Sequence, residues 1–104
     1  MPRSQYLGEL EVTILLALNR LDEPASGMAV YDEIVAATGR EISAPTVYIT
    51  LARLVRKDYV KVVVPSSRST RATKCFAVSA SGGAALAQSR RMLGALLKPR
   101  GRRA

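Results

Sequence analysis

The spacing of the apolar residues changes near residue 58, and this change limits the fold of the 104-residue chain more than any other feature. Before it, apolar side chains recur every three to four residues in three separate segments, as on one side of a helix. After it, residues 59–64 and 72–78 have the β-branched pattern of strands, and helical spacing then returns. The predicted order is helix, helix, helix, strand, strand, helix, which makes a mainly α fold with a small β-hairpin (α+β).

Serine, proline and glycine mark the ends of the helices. Ser26 and Ser43 stand where an N-terminal cap is expected, and Ser79 or Ser81 caps the last helix. Pro45 falls in the first turn of the third helix, and Gly39 follows the second. A serine side chain accepts hydrogen bonds from the free N–H groups of a helix start, and glycine adopts the left-handed conformation of a helix end. Together with the periodicity, these residues predict four helices, over residues 7–21, 27–38, 43–57 and 79–98.

The 16 basic and 8 acidic residues are unevenly distributed. Residues 1–60 contain six basic and eight acidic side chains, whereas residues 61–104 contain ten basic side chains and no acidic one. Such a half repels itself unless a polyanion or solvent relieves the repulsion. Nucleic acid is the leading candidate partner and an anionic membrane surface is the second, because a merely solvated surface would normally mix both signs.

The third helix has an apolar inner side and an outer side of hydroxyl groups, cations and one isoleucine. Threonine can hydrogen-bond to base edges, isoleucine can contact a thymine methyl, and cations bind phosphates. Arg53 could read guanine or hold a phosphate, and phosphate is favoured; Tyr48 packs between helices with its hydroxyl near the surface. A polar loop over residues 65–71 predicts a wing on the DNA backbone. The predicted DNA-binding residues are Ser43, Pro45, Thr46, Tyr48, Ile49, Thr50, Arg53, Arg56 and Lys57 of the helix, with Lys61, Arg68, Arg71 and Lys74 of the hairpin.

The first and last helices carry more apolar surface than one small core can cover. Pairing with a second copy of the chain buries such a patch twice, and a two-fold dimer favours an inverted-repeat target. The predicted dimer interface contains Leu7, Leu10, Ile14, Leu86, Leu93 and Leu96.

Enzymatic and metal chemistry have little support in the composition. The chain has no histidine, which is the most frequent general base and metal ligand, and only one cysteine, which excludes an intramolecular disulfide and any multi-cysteine metal site. We therefore predict no catalytic residues, no metal and no cofactor.

No apolar run approaches the roughly 20 residues that cross a bilayer, and Glu9 and Glu11 argue against a signal peptide. We expect a cytoplasmic protein with no membrane partner.

Two motifs connect the third helix with the exit of the hairpin. They are Ser43-x-x-Thr46-Val47-Tyr48, followed by Leu51 and Leu54, and Lys74-x-Phe76-x-Val78-Ser79-x-x-Gly82. In this order, between an apolar first helix and a leucine-containing last helix, they resemble the PadR-like transcriptional regulators over about residues 7–90. The element order is that of a winged helix-turn-helix. This sequence has Asp58 where that family usually has a glycine.

The resemblance implies a DNA-binding repressor that dimerises through its terminal helices. In some members of the family, a small aromatic or other lipophilic effector releases the repressor from DNA. It divides the chain into a winged helix-turn-helix domain (residues 1–78), whose first helix also joins the dimer interface, a C-terminal dimerisation helix (79–98) and a basic, disordered tail (99–104). The alternative is a winged-helix adaptor that binds another protein and contacts RNA or a membrane through its basic half.

Overall fold

The fold is known from a computed structural model, which describes residues 7–64 and 74–100. The elements are α1 (Glu9–Leu21), β1 (Ala25–Ser26), α2 (Gly27–Thr38), α3 (Ala44–Arg56), β2 (Val60–Val63), β3 (Cys75–Val78) and α4 (Ala80–Leu97). The predicted mainly helical fold with a small hairpin is confirmed, and every helix boundary lies within two residues of its predicted position.

The strand β1 is an addition that the periodicity did not predict. It pairs antiparallel with β3, with Ala25 opposite Phe76, so the sheet has three strands in the order β1-β3-β2. A segment of two residues has no measurable period, and the preceding Pro24 indicates a chain break. The pairing follows from tertiary contact, because Ala25 and Phe76 are distant along the chain and meet only in the folded protein.

The N-terminal caps of the last three helices are formed by serines, as expected. The hydroxyl oxygen of Ser26 accepts a hydrogen bond from the N–H of Ala29 at 3.1 Å, and Ser43 accepts one from Thr46 at 3.2 Å. Ser79 caps α4 by accepting from the N–H of Gly82 at 3.0 Å. These local bonds satisfy donors that would otherwise have no partner in the helix, and they set where each helix begins.

The core lies where α1, α2, α3, the sheet and the first half of α4 meet. Its largest fully buried side chains are Ile14, Leu15, Val30, Val47, Leu51, Leu54, Val60 and Leu86. Two of them correct the predicted dimer interface: Ile14 is 0% exposed and Leu86 is 2% exposed within one chain. Both side chains are buried in the core of a single chain, so neither is accessible to a second copy.

The end of α3 is joined to the start of α4 by backbone contacts. Asp58, in the turn after α3, has a left-handed φ of 69°, and its carbonyl accepts a hydrogen bond from the Ser79 hydroxyl at 2.7 Å. The N–H of Ser79 donates to the carbonyl of Tyr59 at 3.0 Å. A Cβ added to Gly82 would lie 2.0 Å from that same carbonyl oxygen, so only glycine permits this approach.

Candidate nucleic-acid interface

The helix α3 has one buried face and one open face, as its sequence predicts. Val47, Leu51 and Leu54 are 0% exposed and pack into the core. On the open face, Ile49 is 61% exposed, and Pro45, Thr46, Arg53 and Arg56 are also exposed. The structure therefore brings an aliphatic side chain, a hydroxyl group and two guanidinium groups together on one rod of 13 residues.

The first turn of α3 holds its hydroxyl groups in a small network. Ser43 and Thr46 share a hydrogen bond between their hydroxyl oxygens at 2.7 Å, and both remain exposed. Thr50 differs: it is 4% exposed, and its hydroxyl donates to the carbonyl of Thr46 at 2.9 Å. The structure thus corrects the prediction for Thr50, because a buried hydroxyl with an internal acceptor has no access to a base edge.

The last residue of the predicted cationic face, Lys57, is held by an acidic partner. Its ammonium group lies 2.8 Å and 3.1 Å from the two carboxylate oxygens of Glu11, which also accepts the N–H of Gly8 at 2.9 Å. The Glu11 side chain is only 6% exposed, whereas that of Lys57 is 35% exposed. The pair ties the start of α1 to the end of α3 and neutralises one of the expected phosphate ligands.

The pairing favours the ionised form of Glu11. Burial by itself would raise the pKa of Glu11, but the hydrogen bonds from Lys57 and Gly8 and the charges of Lys57 and Arg53 outweigh it, so the pKa lies below its ordinary value. Sequence analysis missed Glu11 as part of this region. A signal existed, because the spacing from Gly8 to Glu11 is that of a capping box, in which the acidic side chain turns back to the helix start.

A second carboxylate lies beside the same face. Glu9 lines a groove between α1 and α3 together with Thr46, Ile49 and Arg53, and its side chain pairs with Arg40 at 2.9 Å. The outer side of α3 is free of acidic residues along its own sequence, but tertiary structure adds two from α1. Arg53 and Arg56 are the cations of α3 that form no ion pair within the described residues, although the charge of Arg53 also acts on Glu11.

The hairpin contributes its cations to different sides. Lys74 lines a cleft with Arg56, so the structure brings these two cations together beside α3. Lys61 is exposed, but it alternates with Val60 and Val62 along β2 and therefore points to the opposite face of the sheet. The predicted wing residues Arg68 and Arg71 lie outside the described residues.

The aromatic ring of Tyr48 packs over the start of α2. A Cβ added to Gly27 would lie 2.3 Å from Cε1 of Tyr48, so the ring occupies the space that a side chain at residue 27 would fill. Tyr48 nevertheless stays 45% exposed, so the ring forms a wall of the open surface as well as a packing contact. This is the intermediate position that the sequence predicts.

Residues 7–64 and 74–100 contain no group of three or more potential metal-binding side chains. None of the helices in this part of the chain combines the length and the apolar character that a membrane crossing requires.

Comparison with a family model gives a match over most of the chain. The model, described as the transcriptional regulator PadR-like family, matches residues 14–88, from the middle of α1 into α4. A comparison with curated proteins finds no match.

Solved structures show the same fold at low sequence identity. A PadR family transcription regulator from Clostridium difficile R20291 is 17% identical over 86% of this chain and 91% of that chain, with a TM-score of 0.73. A PadR-like regulator from Bacillus cereus is 17% identical over 84% and 82%, with a TM-score of 0.71. BpsR of Bordetella bronchiseptica, whose DNA binding is regulated by 6-hydroxynicotinic acid, is 19% identical over 92% and 65%, with a TM-score of 0.68.

Proposed function

Because the chain belongs to the PadR-like family of transcriptional regulators, we propose that it is a homodimeric repressor that binds an inverted-repeat operator in duplex DNA. In this proposal, α3 enters the major groove, and the hairpin contacts the sugar–phosphate backbone beside it. The observation that carries the proposal is the exposed face of α3, where Thr46 and Ile49 precede Arg53 and Arg56, two cations that form no ion pair in the described part of the chain.

The arrangement along α3 suits the two kinds of DNA contact. Thr46 and Ile49 lie in the N-terminal half of the helix, which is the part of a recognition helix that reaches base edges. Arg53 and Arg56 lie in the last turns, where a guanidinium can bind the phosphates that flank the groove. Base contacts would supply the specificity, and phosphate contacts would supply a salt-dependent affinity.

The homodimer is supported by the second half of α4. Leu93 is 47% exposed, Leu96 is 77% exposed and Leu97 is 83% exposed, which leaves an exposed leucine surface at the end of the helix. Leu7 and Leu10 pack partly against the core. Leu7 lines a groove together with Leu93, whereas Leu10 lines the groove between α1 and α3. A two-fold partner would cover these leucines and hold two copies of α3 at a set separation, which an inverted repeat matches.

A groove between α1 and α4 supports an effector-controlled repressor. It has a volume of 390 Å³ and is lined by Leu7, Glu9, Val12, Thr13, Ser89, Met92 and Leu93. Most of this lining is apolar, and among the described residues its one charged group is the carboxylate of Glu9, so the groove suits a lipophilic molecule that carries no negative charge. A ligand there would contact the helices that join the two protomers, and it would change the distance between the two copies of α3.

The experiment is footprinting and gel-shift with the DNA upstream of the gene that encodes the chain. We expect a discrete two-fold footprint that persists in excess random DNA and weakens with salt. Arg53→Ala/Arg56→Ala should abolish the complex, while Arg90→Ala/Arg91→Ala, which removes the same charge from exposed positions of α4, should keep it. Equal losses in the two variants would mean that net charge, and not α3, binds the DNA.

The adaptor alternative makes the opposite prediction in the same experiment. An adaptor that contacts RNA or a membrane through its basic half would form no complex that survives excess random DNA. Binding of the wild-type chain to single-stranded RNA or anionic vesicles, without any specific duplex complex, would favour that alternative over a repressor.

A further inference from the structure

A cleft between α3 and the hairpin remains open in the folded chain. It has a volume of 580 Å³ and is lined by Gly27, Tyr48, Ala52, Val55, Arg56, Val62, Lys74 and Phe76. Sites for small molecules usually measure about 300–1,000 Å³ and combine apolar walls with a few polar groups. We call this space the α3–hairpin cleft; it is separate from the groove between α1 and α4.

The floor of the cleft is a continuation of the hydrophobic core. Val62 stands opposite Phe76 in the β2–β3 register, so their side chains share one face of the sheet. Along that face of β2 the exposed fraction rises from 1% at Val60 to 40% at Val62. The sheet therefore carries an apolar stripe out of the core, and on the side of α3 it faces Ala52 and Val55 across the cleft.

The rim of the cleft is polar and positively charged. Arg56 comes from α3, Lys74 immediately precedes β3, and both are exposed. Among the described residues no carboxylate lines the cleft, in contrast to the groove beside Glu9 and Glu11. The Tyr48 ring stands as a side wall because it rests on Gly27, which has no side chain to displace it.

We propose that the α3–hairpin cleft binds a small, flat lipophilic anion, with the apolar part on Val62 and Phe76 and the anionic group at Arg56 and Lys74. An apolar floor favours a molecule with a ring or a short hydrocarbon chain. Two cations with no carboxylate nearby favour a carboxylate or a similar anion, which can form charge-assisted hydrogen bonds with both.

Binding in this cleft competes directly with DNA. This part of the inference rests on the proposed function, because Arg56 and Lys74 are also proposed phosphate ligands. A bound anion would occupy both cations and place a negative group beside α3, where phosphates approach. The effect requires no change in the separation of the two protomers, which distinguishes it from an effector between α1 and α4.

The first experiment measures ligand binding to the full chain without DNA, with 2-naphthoate as the probe and 2-naphthylmethanol as its neutral counterpart. We expect saturable binding of 2-naphthoate, observed by ligand NMR, and binding of the alcohol weaker by about tenfold. Arg56→Gln and Lys74→Gln should each reduce that difference. Equal affinities for anion and alcohol would overturn the proposed anion selectivity.

The location of the probe is tested by filling the cleft. Ala52→Phe should remove binding, while Ala37→Phe, a matched change in another cleft between α1 and α2, should leave it unchanged. Val62→Thr keeps the size and β-branching of the side chain but adds a hydroxyl to the floor, so it should weaken binding several-fold even if Ala52→Phe folds poorly. Undiminished binding in folded Ala52→Phe and in Val62→Thr would overturn the proposed site.

The second experiment separates this inference from the function itself. Fluorescence anisotropy of a labelled upstream duplex is measured with and without 2-naphthoate. We expect the probe to displace DNA from wild type and from Ala37→Phe, with an apparent affinity that decreases as DNA increases. If the chain binds DNA and the probe binds without displacing it, the competition is wrong. If the chain binds the probe but never DNA, the proposed function fails and the site stands.

Discussion

The ion pair between Lys57 and Glu11 leads to a measurable prediction about which cations touch DNA. Lys57→Met removes the ammonium group and leaves the Glu11 carboxylate, only 6% exposed, with Gly8 as its remaining donor. Breaking a fully buried pair costs about 3–5 kcal/mol, and breaking an exposed one about 0.2–1 kcal/mol. Because the Lys57 side chain is 35% exposed, we expect an intermediate loss of about 1–3 kcal/mol in the free energy of unfolding.

The assay for DNA contact is the salt dependence of binding. Each phosphate contact contributes about −0.9 to the slope of log K against log salt concentration. If Glu11 holds Lys57, Lys57→Met should leave this slope unchanged, whereas Arg56→Met, at an exposed position with no acidic partner among the described residues, should reduce its magnitude by about 0.9. Glu11→Gln should release Lys57 and increase the magnitude.

The result that would refute this reasoning is a Lys57→Met variant with unchanged stability and a slope reduced as much as that of Arg56→Met.

The pH dependence of stability gives a second test of the same ion pair. The pKa of Glu11 is lowered in the folded chain, so its stabilising contribution is present above the ordinary pKa of 4.5 and is lost as pH falls through the lower folded value. The stability difference between wild type and Glu11→Gln should therefore be largest near neutral pH and shrink below that ordinary value. A difference that does not change with pH would contradict the assignment.

Three further predictions concern glycine contacts, backbone strain and assembly. Gly82→Ala should destabilise the chain by several kcal/mol or prevent folding, because the added Cβ meets a backbone carbonyl. Gly83→Ala has open space around it and should stabilise α4 by about 0.5–1 kcal/mol. Urea unfolding measures both free energies, and equal effects would contradict the contact at Gly82. Asp58→Gly relieves a left-handed conformation and should raise the free energy of unfolding by about 0.5–1 kcal/mol, with no gain if the turn differs. Leu96→Asp should convert the proposed dimer to a monomer in light scattering, while Met28→Asp, at an exposed apolar residue on α2, should not; a dimeric Leu96→Asp would exclude that end of α4 from the interface.

Much of the candidate site could be predicted because it lies on a single helix. The caps at Ser43 and Ser79 and the buried positions of Val47 and Leu51 follow from contacts within four residues or from a repeating period. Such signals are present in any short window of sequence. The left-handed backbone at Gly39 is equally local, because it depends on the absence of a side chain at that residue and on the preceding helical turn.

Other features of the candidate site could not be predicted from the sequence, because the residues that interact are distant along the chain. Glu11 lies 46 residues before Lys57, and no periodic pattern records that one neutralises the other. Thr50 was expected on the DNA-facing side, but the rotation of α3 against the core buries it.

What the sequence determines and what the tertiary structure decides differ in the distance along the chain between the interacting residues. Helix periods and caps depend on neighbours that the chain always holds close, so the amino-acid order specifies them before any folding takes place. Three features arise only when distant segments meet. They are the ion pair between Glu11 and Lys57, the close approach of Gly82 to the turn after α3, and the open cleft between α3 and the hairpin. Their geometry depends on the packing of the whole core, which no short window of sequence contains.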